Sequence, residues 1–255
     1  MSSELDVDVP RRLKKVVAAL TRDPPPGIYA APDENDITRI HALVVGPSGT
    51  PYEGGFLLFH LVYPLEYPNK PPVVRFLTTD AGRVWLHPYL YESGEVSLSI
   101  LGTFSGPQWS PGLSLGHVLL SIQSLLSENP YYDRLFRIND ATTRKRADDY
   151  NIYIRHEVVR VAVCDAVESC LDDGSSYPSV LRGPVLKLFL VHYDSYEEYV
   201  KRHLRLRCAE ICYPSICPLQ VSHYETLLAR LQDLKAKVEK RGKSAVPGAP
   251  TASAR

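Results

Sequence analysis

His87-Pro88-Tyr89-Leu90-Tyr91-Glu92-Ser93-Gly94-Glu95-Val96-Ser97-Leu98-Ser99-Ile100-Leu101, followed by Trp109-Ser110-Pro111, is the stretch on which the reading of this chain turns. Tyr67-Pro68-Asn69-Lys70-Pro71-Pro72 stands upstream of it. From Val84 to Gly112 the apolar residues follow neither a helical nor a strand period. An irregular segment of that length inside a compact domain is usually functional or disordered. Trp85, Tyr89, Tyr91, Phe104 and Trp109 give this one apolar surface to bury, so an ordered, packed loop is expected.

The flanks are more regular. Pro10 suits a first helical turn, and Leu13, Val16, Val17 and Leu20 share one helical face. Pro24, Pro25 and Pro26 stop that helix. Ile37 to Val45, Phe56 to Tyr63 and Val73 to Leu77 read as short strands bounded by Gly, Pro or Asn, an antiparallel meander. After the irregular segment, Ser114 can cap a helix carrying Leu115, Val118, Leu119, Ile122, Leu125 and Leu126. Arg134 to Asp149 reads as a polar, mobile link, and Tyr150 to Cys170 as helix. Further helices are predicted over Val185 to Arg205 and Tyr224 to Lys240. Strands and helices are segregated, so the class is α+β. The predicted organisation is an N-terminal tail over 1–7, a core over 8–170, a helical C-terminal extension over 171–241 and a disordered tail over 242–255.

Composition narrows the partners. The 255 residues are 44% apolar, enough for a real core, and Lys plus Arg equals Asp plus Glu at 29 each. Nothing in that balance points to nucleic acid. The first residues lack the basic start and apolar run of a secretory signal. No window holds the roughly 18 apolar residues of a membrane helix. A cytoplasmic or nuclear protein without membrane association is expected. The five cysteines, Cys164, Cys170, Cys208, Cys212 and Cys217, are an odd count that fits free thiols. Cys208, Cys212 and Cys217 with His203 and His223 match no closed zinc spacing, so no metal is expected. No cofactor motif is present.

The motif order resembles the ubiquitin-conjugating enzyme family over roughly residues 8 to 165. The family pattern is Tyr-Pro-x-x-Pro-Pro, His-Pro-Asn, Cys-Leu-x-Ile-Leu and Trp-Ser-Pro. Thr50-Pro51-Tyr52-Glu53-Gly54-Gly55, Leu98-Ser99-Ile100-Leu101-Gly102-Thr103 and Ser121-Ile122-Gln123-Ser124-Leu125 are similar to its larger members with C-terminal extensions. The resemblance implies the ubiquitin-conjugating (UBC) fold, a meander sheet flanked by helices. It also implies partners: ubiquitin or a related modifier, the ubiquitin-activating enzyme that loads it, and a ubiquitin ligase.

Position by position, the resemblance implies that Ser97 stands where the acceptor cysteine belongs and Tyr89 where the asparagine belongs. His87 then has a structural role in the loop. Asp133 matches an acid that orients the incoming lysine, with Leu135 at the neighbouring gateway position. Asn69, Gln108 and Trp109 fall on ligase-facing turns. Arg11, Arg12, Lys14 and Lys15 match a basic first helix facing the activating enzyme, though a solvated face explains such a run equally well. A serine hydroxyl needs an activating base, and His87, ten residues back, is the only histidine near it in sequence. No acidic orienter is evident. Tyr89 is expected to pack beside Tyr91. The leading expectation is an impaired relative that binds partners without efficient transfer. The alternatives are an active acyltransferase carrying the modifier at position 97, and a non-catalytic scaffold.

Overall fold

The strands Ile28–Pro32 (β1), Arg39–Val45 (β2), Phe56–Val62 (β3) and Val73–Phe76 (β4) form one antiparallel sheet in chain order. The computed structural model describes residues 3–134, 141–205 and 221–244. β2 and β3 pair over their full lengths, Arg39 opposite Val62 and Val45 opposite Phe56. Ile40, Ala42, Leu57, Phe59 and Leu61 are wholly buried on the face toward the helices. On the other face His41 lies opposite His60, ring centroids 4.8 Å apart. The expected meander is therefore present, with β1 as an unforeseen first strand. Ala and Pro are depleted in strands, and Ile28-Tyr29-Ala30-Ala31-Pro32 gave little signal; pairing with β2 makes it one. Pro32 ends an edge strand, where its missing N–H costs little.

The first helix, Ser3–Arg22 (α1), begins upstream of Pro10 and inside the stretch assigned to a tail. Pro10 forfeits one backbone bond yet keeps a helical φ, so the turn before it continues. Leu13, Val17 and Leu20 are buried, while Arg11, Arg12, Lys14 and Lys15 face solvent. Leu115–Leu125 (α2) buries Leu115, Val118, Leu119 and Ile122, and the Ser114 N–H donates to His117 Nδ1 at its start. A short helix follows at Tyr131–Arg134 (α3).

The expected polar link is corrected. Ala141–Glu157 (α4) is a helix whose few apolar residues, Ala147, Tyr150, Tyr153 and Ile154, carry its packing. It runs into a π-helical segment at Val158–Asp165 and then Ala166–Leu171 (α5). Ser179–Arg205 (α6) and Val221–Ser244 (α7) are longer than predicted, with Pro184 inside α6. Leu135, Cys208, Cys212, Cys217 and residues 245–255 lie outside the described residues.

The extension packs on the core. The Tyr196 hydroxyl donates to the Gly54 carbonyl at 2.7 Å and Tyr199 to that of Ile152 at 3.0 Å. Buried Arg155 donates to the Glu53 carbonyl and lies 5.8 and 5.5 Å from the rings of Tyr196 and Tyr199. Arg230 on α7 reaches Asp165 at 2.5 Å and Glu168 at 2.6 Å. One buried apolar cluster runs from Val9 to Val238. Among the described residues no helix is long and apolar enough to cross a membrane.

Candidate functional site

The irregular segment is ordered by short backbone ladders. Leu90 bridges His87 and Val96, and the Ser97 N–H donates to the Tyr89 carbonyl at 2.9 Å. Phe76 N–H bonds the Gly94 carbonyl, which fastens the segment to β4. Ser99–Leu101 makes one 3₁₀ turn, and Gly102 ends it in the left-handed region at φ 74°, a conformation that favours glycine. Thr103 then folds back. Its Oγ1 accepts from the Leu98 N–H at 2.9 Å and donates to the Val96 carbonyl at 2.7 Å.

This return places the Thr103 carbonyl against Ser97, whose hydroxyl donates to it at 3.2 Å. Ser97 is left 7% exposed. His87 is fully buried, and its Nδ1 accepts the Tyr89 N–H at 3.0 Å. That bond puts the ring proton on Nε2, which lies 3.4 Å from Asp133 Oδ2 but is too poorly aligned for a hydrogen bond. Asp133 Oδ2 also takes the Ser127 hydroxyl at 3.3 Å. The ring of Tyr52 stands 5.9 Å from His87, with its own hydroxyl on the Leu86 carbonyl. His87 thus orders the loop. One nitrogen holds a backbone amide, and the other turns to an acid that sequence alone did not place beside it.

Tyr89 departs from expectation. Tyr91 stacks on Trp85 at 5.9 Å, whereas Phe104 and His87 supply the rings beside Tyr89. Its ring meets Phe104 at 5.0 Å and His87 at 5.6 Å, and its hydroxyl donates to the Asp133 carbonyl at 2.6 Å. Ser97, Tyr89, His87 and Asp133 therefore gather in one place. Thr103, Phe104 and Ser127 join them; in the sequence Thr103 stands only as the end of the Leu98–Thr103 string similar to the family.

Asn69 and Gln108 are exposed on neighbouring turns. Trp109 is half-buried between them, its Nε1 donating to the Pro68 carbonyl at 2.7 Å and its ring 6.2 Å from Tyr67. Leu65, 67% exposed at the head of the same turn, is an apolar group the sequence reading passed over. Arg11, Arg12, Lys14 and Lys15 belong to the separate solvent face of α1. Among the described residues no cluster of His, Cys, Asp and Glu could hold a metal ion.

This sheet, the loop laid against it and the helices around them define a class: the sequence profile described as Ubiquitin-conjugating enzyme matches residues 12–156, and the chain belongs to that family. Individual relatives narrow it further. The chain is 41% identical over 230 residues to Ubiquitin-conjugating enzyme E2 Z of Xenopus tropicalis, covering 90% of this chain and 72% of that protein. To the Homo sapiens E2 Z it is 42% identical over 230 residues, covering 90% of this chain and 64% of that one. The chain spans about two thirds of these relatives, and the similarity runs on into the extension. The solved structure of human Ubiquitin-conjugating enzyme E2 G1 aligns at 35% identity and TM-score 0.40, covering 46% of this chain and 96% of that one.

Proposed function

We propose that this protein is a Z-like member of the ubiquitin-conjugating family that binds a modifier or its loading machinery without efficient transfer. The observation that carries this reading is the state of Ser97. Its hydroxyl is donated to a backbone carbonyl, and the nearby imidazole has one nitrogen on the Tyr89 amide and the other turned toward Asp133. A thiol at this position would be partly ionised near neutral pH and would attack an activated acyl group directly. A serine hydroxyl needs a base to take its proton, and neither nitrogen of His87 is turned to it.

The position beside it supports the same reading. An asparagine side chain can donate a hydrogen bond to the oxyanion of the tetrahedral intermediate. Tyr89 has a single donor, and it is committed to the Asp133 carbonyl. Loss of one oxyanion donor costs about 10²–10³ in rate. The two changes act on different steps, proton removal and charge stabilisation, so they compound.

The test is a charging reaction with ubiquitin, ubiquitin-activating enzyme and ATP. No adduct is expected on the chain as it stands, together with measurable non-covalent binding of ubiquitin or activating enzyme. A base-labile, thiol-resistant ester on Ser97 overturns the reading in favour of an active acyltransferase. Absence of both adduct and binding overturns it in favour of a scaffold. Ser97→Cys with Tyr89→Asn is expected to form a thiol-sensitive adduct.

A further inference from the structure

Tyr89 and Phe104 both adjoin the backbone that holds Ser97. The Tyr89 carbonyl takes the Ser97 N–H at 2.9 Å, and Phe104 follows Thr103, whose carbonyl takes the Ser97 hydroxyl. The two side chains close on each other, ring centroids 5.0 Å apart and tilted by 55°. Neither belongs to the deep core, and Phe104 is 51% exposed, yet Ser97 is only 7% exposed. The contact between the two rings therefore lies toward the surface. It is fastened across 44 residues of chain, because the Tyr89 hydroxyl donates at 2.6 Å to the Asp133 carbonyl in α3. The bond is to a main-chain oxygen, so it depends on where α3 sits and not on the charge of Asp133.

We propose that Tyr89 is a latch that holds the acceptor groove shut over position 97, fastened to α3 by its phenol and to the 102–106 turn by its ring. The proposal rests on the reading of Ser97 as the acceptor position. An acyl group can reach that position only after the Tyr89–Phe104 contact opens. The bond from the phenol to the Asp133 carbonyl is a neutral one, and such a bond is worth a factor of about five in an opening equilibrium. A partner that draws α3 or the 102–106 turn aside can therefore open it. The latch restricts access, separately from the chemical deficit of the hydroxyl it covers.

A thiol at position 97 reports the latch without any conjugation machinery. Ser97→Cys is alkylated with iodoacetamide across a pH series, and the peptide containing position 97 is followed by mass spectrometry. The plateau at high pH reports access, whereas the midpoint reports the thiol's own ionisation. Cys164 and Cys170 are buried, their thiols pushed up to about 12 by burial, and they fall in other peptides. Adding Tyr89→Phe, which deletes one oxygen and keeps the ring, is expected to raise the plateau rate about fivefold. Adding Tyr89→Ala is expected to raise it more than about tenfold, since the ring goes as well. Equal plateau rates in the three proteins overturn the latch. Should the alanine variant melt early, the phenylalanine comparison decides alone. No activating enzyme or ATP is used, so the two readings fail separately. An ester formed on Ser97 in the parent chain overturns the proposed function, and unchanged alkylation overturns the latch.

Discussion

A single threonine does much of the ordering around position 97. Thr103 Oγ1 takes the Leu98 amide and serves the Val96 carbonyl, which brings its own carbonyl onto the Ser97 hydroxyl. Thr103→Val keeps the branched shape and removes the oxygen. The Leu98 amide is then left without its partner, at a cost of roughly 1–3 kcal/mol. Urea unfolding is expected to show that loss as a lower midpoint with an unchanged slope. At this scale the sequence was informative about positions and silent about partners. The motif order located His87, Tyr89 and Ser97, and the His87–Tyr89 amide bond is local enough to have been read as loop ordering. The meeting of Tyr89 and His87 with Asp133 was not legible, because a contact across 44 residues depends on how α3 returns to the loop.

Among the elements, the sheet carries a titration that its sequence does not advertise. His41 and His60 face each other across β2 and β3. Burial holds the His41 imidazole below its ordinary value of 6.5, and the neighbouring His60 adds to the effect, with Asp33 opposing. Burial does the same to His60, with Arg39 adding to it and Asp33 again opposing. His203, against Tyr199 and Tyr224, is likewise held down by burial, with Arg202 and His156 adding and the Tyr199 carbonyl opposing. The folded protein thus binds these protons less readily than the unfolded chain does. Stability is full above about 6.5 and falls as pH drops below it, because the unfolded state then takes up more protons. Chemical denaturation at pH 7.0, 6.0 and 5.0 is expected to show the decline, and His60→Gln is expected to make it shallower. The π-helical segment makes a second element-level prediction. A Cβ on Gly55 would lie 2.6 Å from Val158 Cγ1 and 3.0 Å from the Tyr52 carbonyl. Gly55→Ala is expected to cost roughly 1–3 kcal/mol by overpacking, measured by thermal unfolding. The elements that escaped the sequence reading share a cause. β1 has few strand formers and α4 few apolar residues, so both depend on neighbours that a local pattern cannot include.

At the scale of the whole molecule, the extension and the core are tied at three points on different elements. Tyr196 on α6 bonds the turn before β3, Arg155 on α4 lies against Tyr196 and Tyr199, and Arg230 on α7 bridges Asp165 and Glu168. The helical stripes of α6 and α7 were visible in the sequence, but the surface that receives them was not. Gly54 and Gly55 stood out only as part of a string similar to the family, and Arg155 only as part of the predicted helix over Tyr150 to Cys170. Arg155 is buried against the Glu53 carbonyl and the rings of Tyr196 and Tyr199, and burial holds its pKa down. Its carbonyl bond and two aromatic faces offset part of that cost. Loss of α6 would therefore strand a buried cation as well as expose apolar surface, so core and extension are expected to unfold together. The chain supplies its own probes. Both tryptophans, Trp85 and Trp109, lie in the loop region of the core, whereas much of the helical signal comes from α6 and α7. Tryptophan fluorescence and circular dichroism at the helical band are expected to give coincident urea transitions. Tyr196→Ala, which empties a fully buried site on α6, is expected to cost roughly 3–5 kcal/mol and to shift both transitions by the same amount. A helical transition that moves while the tryptophan transition stays in place would mean that the extension folds as a separate unit.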